Sequence, residues 1–255
     1  MRLHSEARGR GTDLLMLHGW GMHSAMWGDT VDRLSERYRV TTVDLPGHGR
    51  SGPDCAPATL SRWAAAVAEV APERAVWLGW SLGGLLAMRA ALDFPQRVAR
   101  LILVAASACF VRRAGWPHAQ SAATLQGFAA ELREDYRSLL SRFLALQVWG
   151  CADARRQARA LREALSLRGE PERGALEAGL AMLRESDLRE ELPEVACPVL
   201  LISGQRDTLV PPAAARYMAG MLPDARLEIL AGAGHAPFLA QGERFRQLIG
   251  EFLDG

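Results

Sequence analysis

Hydrophobic positions fall along the chain in two alternating rhythms. Short apolar runs at Leu14–Leu17, Tyr38–Val43, Ala75–Leu78, Val98–Ala105, Pro198–Ser203 and Arg226–Leu230 predict buried strands, several of them leading into glycine, aspartate or histidine. Between them lie stretches with helical spacing: Ser24 to Glu36, Thr59 to Val70, Leu82 to Leu92, Ala213 to Met221 and Glu243 to Leu253. In the second of these, Leu60, Trp63, Val67 and Val70 share one side. Strands alternating with helices in units of this size predict a parallel sheet covered by helices on both faces. From Phe110 to Asp187 the alternation stops, and the stretch reads as helices rich in Ala, Leu and Arg. The expectation is one sheet domain, residues 1–109 and 188–255, carrying a helical insertion at 110–187 as a lid.

Composition narrows the class of function. A chain of 255 residues buries a substantial core, and an α/β fold of this length is commonly one domain. The net charge of +1 argues against a dedicated nucleic-acid binder. All thirty basic residues are arginine, so one arginine on its own is weak evidence of function. No apolar run approaches the ~20 residues that span a bilayer, and Met1 to Arg8 lacks an apolar signal core. Cys55, Cys109, Cys151 and Cys197 are scattered without metal or C-x-x-C spacing. Together these features predict a cytoplasmic protein with reduced thiols, no metal and no cofactor, and a monomer by default.

Candidate chemistry centres on Gly79-Trp80-Ser81-Leu82-Gly83, a G-x-S-x-G between a strand pattern and a helix pattern. That context is a nucleophile elbow: a tight turn that needs small flanking residues and lifts the serine hydroxyl above the sheet edge. Asp207 follows the seventh expected strand and His235 the eighth, both at the C-terminal ends where open α/β sheets place their sites. A serine hydroxyl is a poor nucleophile near neutral pH, so a base must take its proton, and His235 is the candidate. Its unperturbed pKa near ~6.5 suits accepting and then returning that proton. Asp207 would hold one imidazole nitrogen protonated and stabilise the imidazolium. The oxyanion of a tetrahedral intermediate would lie on the backbone N–H of Leu82 and on that of Trp20, in the turn His18-Gly19-Trp20-Gly21. His18 reads as a structural loop residue, and Asp44 and His48 as residues shaping a turn near the site.

Leu17-His18-Gly19-Trp20-Gly21, Val43-Asp44-Leu45-Pro46-Gly47-His48-Gly49-Arg50-Ser51 and His235-Ala236-Pro237-Phe238 resemble the α/β hydrolases, with the lid inserted after the sixth strand of a mostly parallel, twisted sheet. Trp77-Leu78-Gly79-Trp80-Ser81-Leu82-Gly83-Gly84 and Arg142-Phe143-Leu144-Ala145-Leu146-Gln147 narrow the resemblance to the BioH-type carboxylesterases. These hydrolyse the methyl ester of pimeloyl-[acyl-carrier protein], releasing methanol, in biotin synthesis. The resemblance covers nearly the whole chain. It implies an acyl site at Trp20, Leu82, Phe143, Leu144, Ala145, Leu146, Gln147 and His235, and carrier-contacting arginines at Arg142, Arg155 and Arg159.

The lid sequence itself is compatible with two readings. Tyr136, Leu139, Leu140, Phe143, Leu144 and Leu146 make a broad apolar face that packs the lid onto the body or also lines an acyl channel. Between Arg112 and Arg162 nine arginines stand against four acids, with Arg155, Arg159 and Arg162 on one helical face. That face is either solvated or steers an acidic carrier protein. The rival functions share the triad: a short-chain esterase for small free esters, a carbon–carbon bond hydrolase or a perhydrolase. A hydrolase-fold receptor is disfavoured because no extra interaction segment is present. Dehalogenases and epoxide hydrolases attack with an aspartate where this chain has Ser81.

Overall fold

The computed structural model describes residues 2–53, 57–151 and 153–255; Cys55 lies outside them. Seven strands form one sheet: β1 (Ser5–Arg8), β2 (Asp13–Leu17), β3 (Arg39–Val43), β4 (Ala75–Trp80), β5 (Val98–Val104), β6 (Val199–Gly204) and β7 (Ala225–Leu230), in the order β1-β3-β2-β4-β5-β6-β7. Only β1 runs antiparallel to its neighbour. β4 and β6 are buried at every position and are almost entirely apolar, as strands covered on both faces are. The edges β1 and β7 are more exposed, and β1 has too little apolar character to show in the sequence pattern.

Helices α1 (Asp29–Leu34), α2 (Leu60–Val70), α3 (Leu82–Asp93), α8 (Pro212–Met221), α9 (Pro237–Ala240) and α10 (Gly242–Asp254) flank the sheet. The single helix expected from Ser24 to Glu36 is instead a 3-10 turn, Ser24–Trp27, followed by α1. Gly28 divides them with φ +47°, a conformation no α-helix contains. Between β5 and β6 lie α4 (Ala122–Glu134), α5 (Tyr136–Gln147), α6 (Ala154–Ser166) and α7 (Arg173–Glu185). In this sheet the insertion follows the fifth strand, and Asp207 and His235 follow the sixth and seventh. The ordinals are one lower than expected because the sheet has seven strands, with only β1 ahead of β2. Among the described residues no helix is long and apolar enough to cross a membrane.

Register decides what the strand ends bring together. Leu17 pairs with both Val43 and Gly79, Trp80 with Val104, and Gly204 with Leu230, so the C-terminal ends of the strands lie along one edge. His18, Asp44, Ser81, Asp207 and His235 all follow those ends. The four helices of the insertion come from the β5 end on the same edge, which is how they come to roof these residues.

Candidate active site

Ser81 stands between β4 and α3 with φ +54° and ψ −115°. Only Ser81 and Ala105 among the described non-glycine residues have positive φ, and such a conformation costs on the order of 1–3 kcal/mol. The surrounding glycines make the turn possible by close approach. A Cβ on Gly79 would meet the Gly83 carbonyl, and one on Gly83 would sit 2.6 Å from the carbonyl oxygens of Leu17 and His18. With both absent, the N-terminus of α3 closes onto the end of β2. The leading N–H groups of α3, that of Leu82 first, have no intrahelical carbonyl to bond and are available to an anion beside Ser81.

Asp207 and His235 are brought together from residues 28 positions apart: His235 Nδ1 lies 2.8 Å from Asp207 Oδ2, both side chains being buried. With a carboxylate at Nδ1, the ring proton belongs there and Nε2 is the free base. The other carboxylate oxygen, Oδ1, accepts the N–H groups of Leu209 and Val210 at 2.9 Å each, which fixes the carboxylate plane. The His235 loop is held independently of its ring. Its N–H donates to the Gln147 carbonyl at 2.8 Å, and its carbonyl accepts the Trp80 indole N–H at 2.7 Å. Trp80 also packs against Gly19, so one indole touches both the histidine loop and the Trp20 turn. That bracing role was not legible in the sequence, where the two tryptophans of the elbow were only a family signature.

Ser81 and His235 open on a narrow apolar pocket whose walls include Trp20, Phe110, Leu125, Phe128, Phe143, Leu180, Leu183, Leu209 and Val210. Its remaining polar lining residue is Gln120, which donates to the carbonyls of Thr208 and Leu209 beside Asp207. Of the expected acyl-site residues, Trp20, Phe143 and His235 line this pocket. Leu82 lies buried beneath Gly179 of α7, and Leu144 is buried on α5. Ala145 lines a separate groove, Leu146 is partly buried, and Gln147 meets the site through its backbone carbonyl. Five consecutive helical residues sweep more than a full turn, so they do not all face one pocket. The walls missed in the sequence, Phe110, Leu125, Phe128, Leu180 and Leu183 from separate segments of the insertion and Leu209 and Val210 from the loop after β6, carried no local signal beyond being apolar.

The Trp20 turn is built by His18. The ring accepts the Leu45 N–H at Nε2 (2.9 Å), which puts its proton on Nδ1, where it donates to the Gly19 carbonyl (2.9 Å). Burial pushes the pKa of His18 down to about 3, and burial also lowers that of His48 to about 4, so both are neutral structural groups. The indole N–H of Trp20 donates to the Leu176 carbonyl of α7 at 2.8 Å, and its ring meets Phe143 edge-on at 5.0 Å.

The three arginines expected to meet a carrier protein are divided. Arg142 of α5 pairs with Glu131 of α4 and lies over the Phe128 ring. Arg155, Arg159 and Arg162 of α6 rim an apolar groove that also holds Ala145, Val148, Ala158 and the exposed Trp149. Arg159 makes an exposed ion pair with Glu163.

Residues 14–248 match the profile of the alpha/beta hydrolase family. A pimeloyl-[acyl-carrier protein] methyl ester esterase of Nitrosomonas europaea is 49% identical over 244 residues, covering 95% of this chain and 96% of that protein. Its namesake in Xanthomonas oryzae pv. oryzae is 45% identical over 251 residues, covering 98% of each. Among solved structures, an esterase from Exiguobacterium antarcticum superposes with a TM-score of 0.91 at 24% identity, over 99% of this chain and 96% of that one. An enol-lactonase from Burkholderia xenovorans superposes with a TM-score of 0.88 at 23% identity, over 99% and 96%.

Proposed function

The chain belongs to the alpha/beta hydrolase family, and from that premise we propose that it is a serine carboxylesterase acting on the methyl ester of pimeloyl-[acyl-carrier protein] in biotin synthesis. The observation that carries the chemistry is the buried 2.8 Å bond between Asp207 and His235, on the wall of a pocket that also holds Ser81. His235 Nε2 takes the Ser81 proton as Oγ attacks the ester carbonyl. The resulting oxyanion is stabilised by the N–H groups of Leu82 and Trp20. The tetrahedral intermediate collapses, the carbon–oxygen bond to the methoxy group breaks, and His235 returns its proton to release methanol. Water, deprotonated by the same histidine, then attacks the acyl-serine; the bond to Ser81 Oγ breaks, His235 returns the proton to Oγ, and the carboxylic acid is freed. Asp207 stays ionised throughout and steadies the imidazolium.

The apolar pocket suits a methylene chain, with Trp20 and Phe143 among its walls. Arg142, Arg155 and Arg159 supply positive charge on the insertion for an acidic carrier protein. We assign the enzyme to the cytoplasm and take it to act as a monomer. The test is hydrolysis of pimeloyl-carrier protein methyl ester beside a short free ester, with Ser81→Ala as the blank. Turnover of the carrier ester that disappears in the blank and drops at least tenfold with Arg155→Glu/Arg159→Glu, while the free ester is unaffected by the charge reversal, supports the whole reading. Cleavage of the free ester alone leaves a general esterase and removes the carrier.

A further inference from the structure

Most arginines of the insertion point to solvent, but one that the charge count passed over does not. Arg168 lies in the strap between α6 and α7, with its side chain 10% exposed. Its guanidinium donates to Ser24 Oγ at 2.6 Å, to Asp44 Oδ2 at 2.9 Å and to Glu6 Oε2 at 3.1 Å. A residue of the cap thus reaches β1, the 3-10 turn after β2 and the loop after β3 at once.

The Asp44 carboxylate is fully buried and accepts the N–H groups of Ser24 and Arg50 as well. Burial alone would raise its pKa, but the neighbouring His18 and these N–H donors outweigh that and hold it well below the usual carboxylate range. From Asp44 the chain of contacts is short. The next residue, Leu45, donates its N–H to His18, and His18 holds the Gly19 carbonyl. Trp20, whose N–H is assigned to the oxyanion, comes next. The strap meets the same loop a second time, where the Glu172 N–H donates to the Gly47 carbonyl at 2.8 Å. It then runs into α7, whose Leu176 carbonyl holds the Trp20 indole.

We propose that Arg168 is a positioning residue that latches the α6–α7 strap to Asp44 and, through His18, sets the Trp20 turn for the transition state. The assignment rests on the serine-esterase reading of Ser81 but not on the identity of the substrate. A buried guanidinium suits the task because its planar fork bonds several oxygens at fixed angles, which an ammonium cannot. Trp20 is thereby held at its backbone through His18 and at its indole through α7, and Arg168 ties both supports together.

Arg168→Met and Arg168→Lys test this with a short p-nitrophenyl ester, at a temperature well below melting for every variant. A misplacement near 1 Å at a catalytic group costs up to about 10²-fold in rate. The expectation is a roughly tenfold loss of kcat in Arg168→Met with KM within twofold, and a smaller loss in Arg168→Lys. Glu6→Ala, which removes the β1 arm together with the contacts of Glu6 to His4 and Arg50, should keep the wild-type kcat. Should Arg168→Met melt earlier yet turn over the ester at the wild-type kcat, the latch is merely structural and the proposal falls. If Arg168→Met does not fold, Arg168→Lys carries the test alone: a kcat loss of twofold or more supports the proposal, and an unchanged kcat overturns it. Because the short ester needs no carrier protein, a wrong substrate assignment would show in the wild type and leave this comparison intact.

Discussion

Gly179 of α7 offers a direct test of how the insertion governs the chemistry beneath it. A Cβ built there would lie 2.8 Å from Trp20 Cδ1 and 3.1 Å from Leu82 Cδ2. Carbon atoms meet at no less than ~3.5 Å, so Gly179→Ala leaves the indole about 0.7 Å short of room. Trp20 has little freedom to yield, being bonded to Leu176 and packed edge-on against Phe143. The strain therefore passes into the turn or into α7, and both residues whose N–H groups are assigned to the oxyanion feel it. Overpacking costs about 1–3 kcal/mol, and replacing glycine inside a helix returns about 1 kcal/mol. The net cost is about 0–2 kcal/mol, a fall of no more than ~8 °C in Tm for a chain of this size. Rate is more sensitive. Removing an oxyanion donor costs on the order of 10²–10³, and displacing one by about 0.7 Å should cost about 10-fold in kcat. Steady-state hydrolysis of a p-nitrophenyl ester with a parallel thermal melt measures both. Gly174→Ala, on the same helix with nothing within 4 Å of the new methyl, is the control and should keep wild-type kcat. If Gly179→Ala also keeps its kcat within twofold, α7 does not set the Trp20 turn and the reasoning is wrong.

Other expectations follow from particular contacts. Asp207→Asn should lower kcat by up to about 10⁴ with little change in Tm, because an amide next to Nδ1 favours the wrong tautomer while Oδ1 can still accept from Leu209 and Val210; kcat and circular dichroism check this. Stability should fall on acidification. His18 and His48 have folded pKa values depressed to about 3 and about 4, so below their unfolded value of ~6.5 the unfolded chain binds more protons. Each histidine then removes up to about 1.4 kcal/mol per pH unit as pH falls from ~6.5 toward those values, and urea midpoints that stay level from pH 7 to 5 would contradict it. Gly127→Ala, exposed inside α4 with open space around it, should raise stability by up to about 1 kcal/mol without touching kcat, as a melt and a rate assay will show.

Much of this protein is written in short-range terms. Strand runs such as Val199–Ile202 are apolar at every position because both faces are covered, and the Thr59 cap with Trp63 and Val67 beneath it marks α2 from its own residues. The elbow is equally local: glycines two residues either side of Ser81 are what a strand-to-helix turn with positive φ requires. Asp207 and His235 were nameable because they follow strands, and a parallel sheet gathers its strand ends along one edge. Gly28 shows the limit of periodicity, since its spacing fits a helix that its φ interrupts.

What the residues could not reveal is which of them share a space. Phe143 lines the pocket at Ser81 and its neighbours Ala145 and Leu146 do not, because the facing of a helix is set by what it packs on. Arg168 looks like any of thirty arginines until the fold sets Asp44, Ser24 and Glu6 around it. Sequence alone determined the elements and their order, because propensity, periodicity and turn chemistry act over a few residues. Only the tertiary structure decided the pocket walls, the brace from Trp80 and the latch at Arg168, because each is a contact between segments whose separation along the chain carries no signal of their meeting.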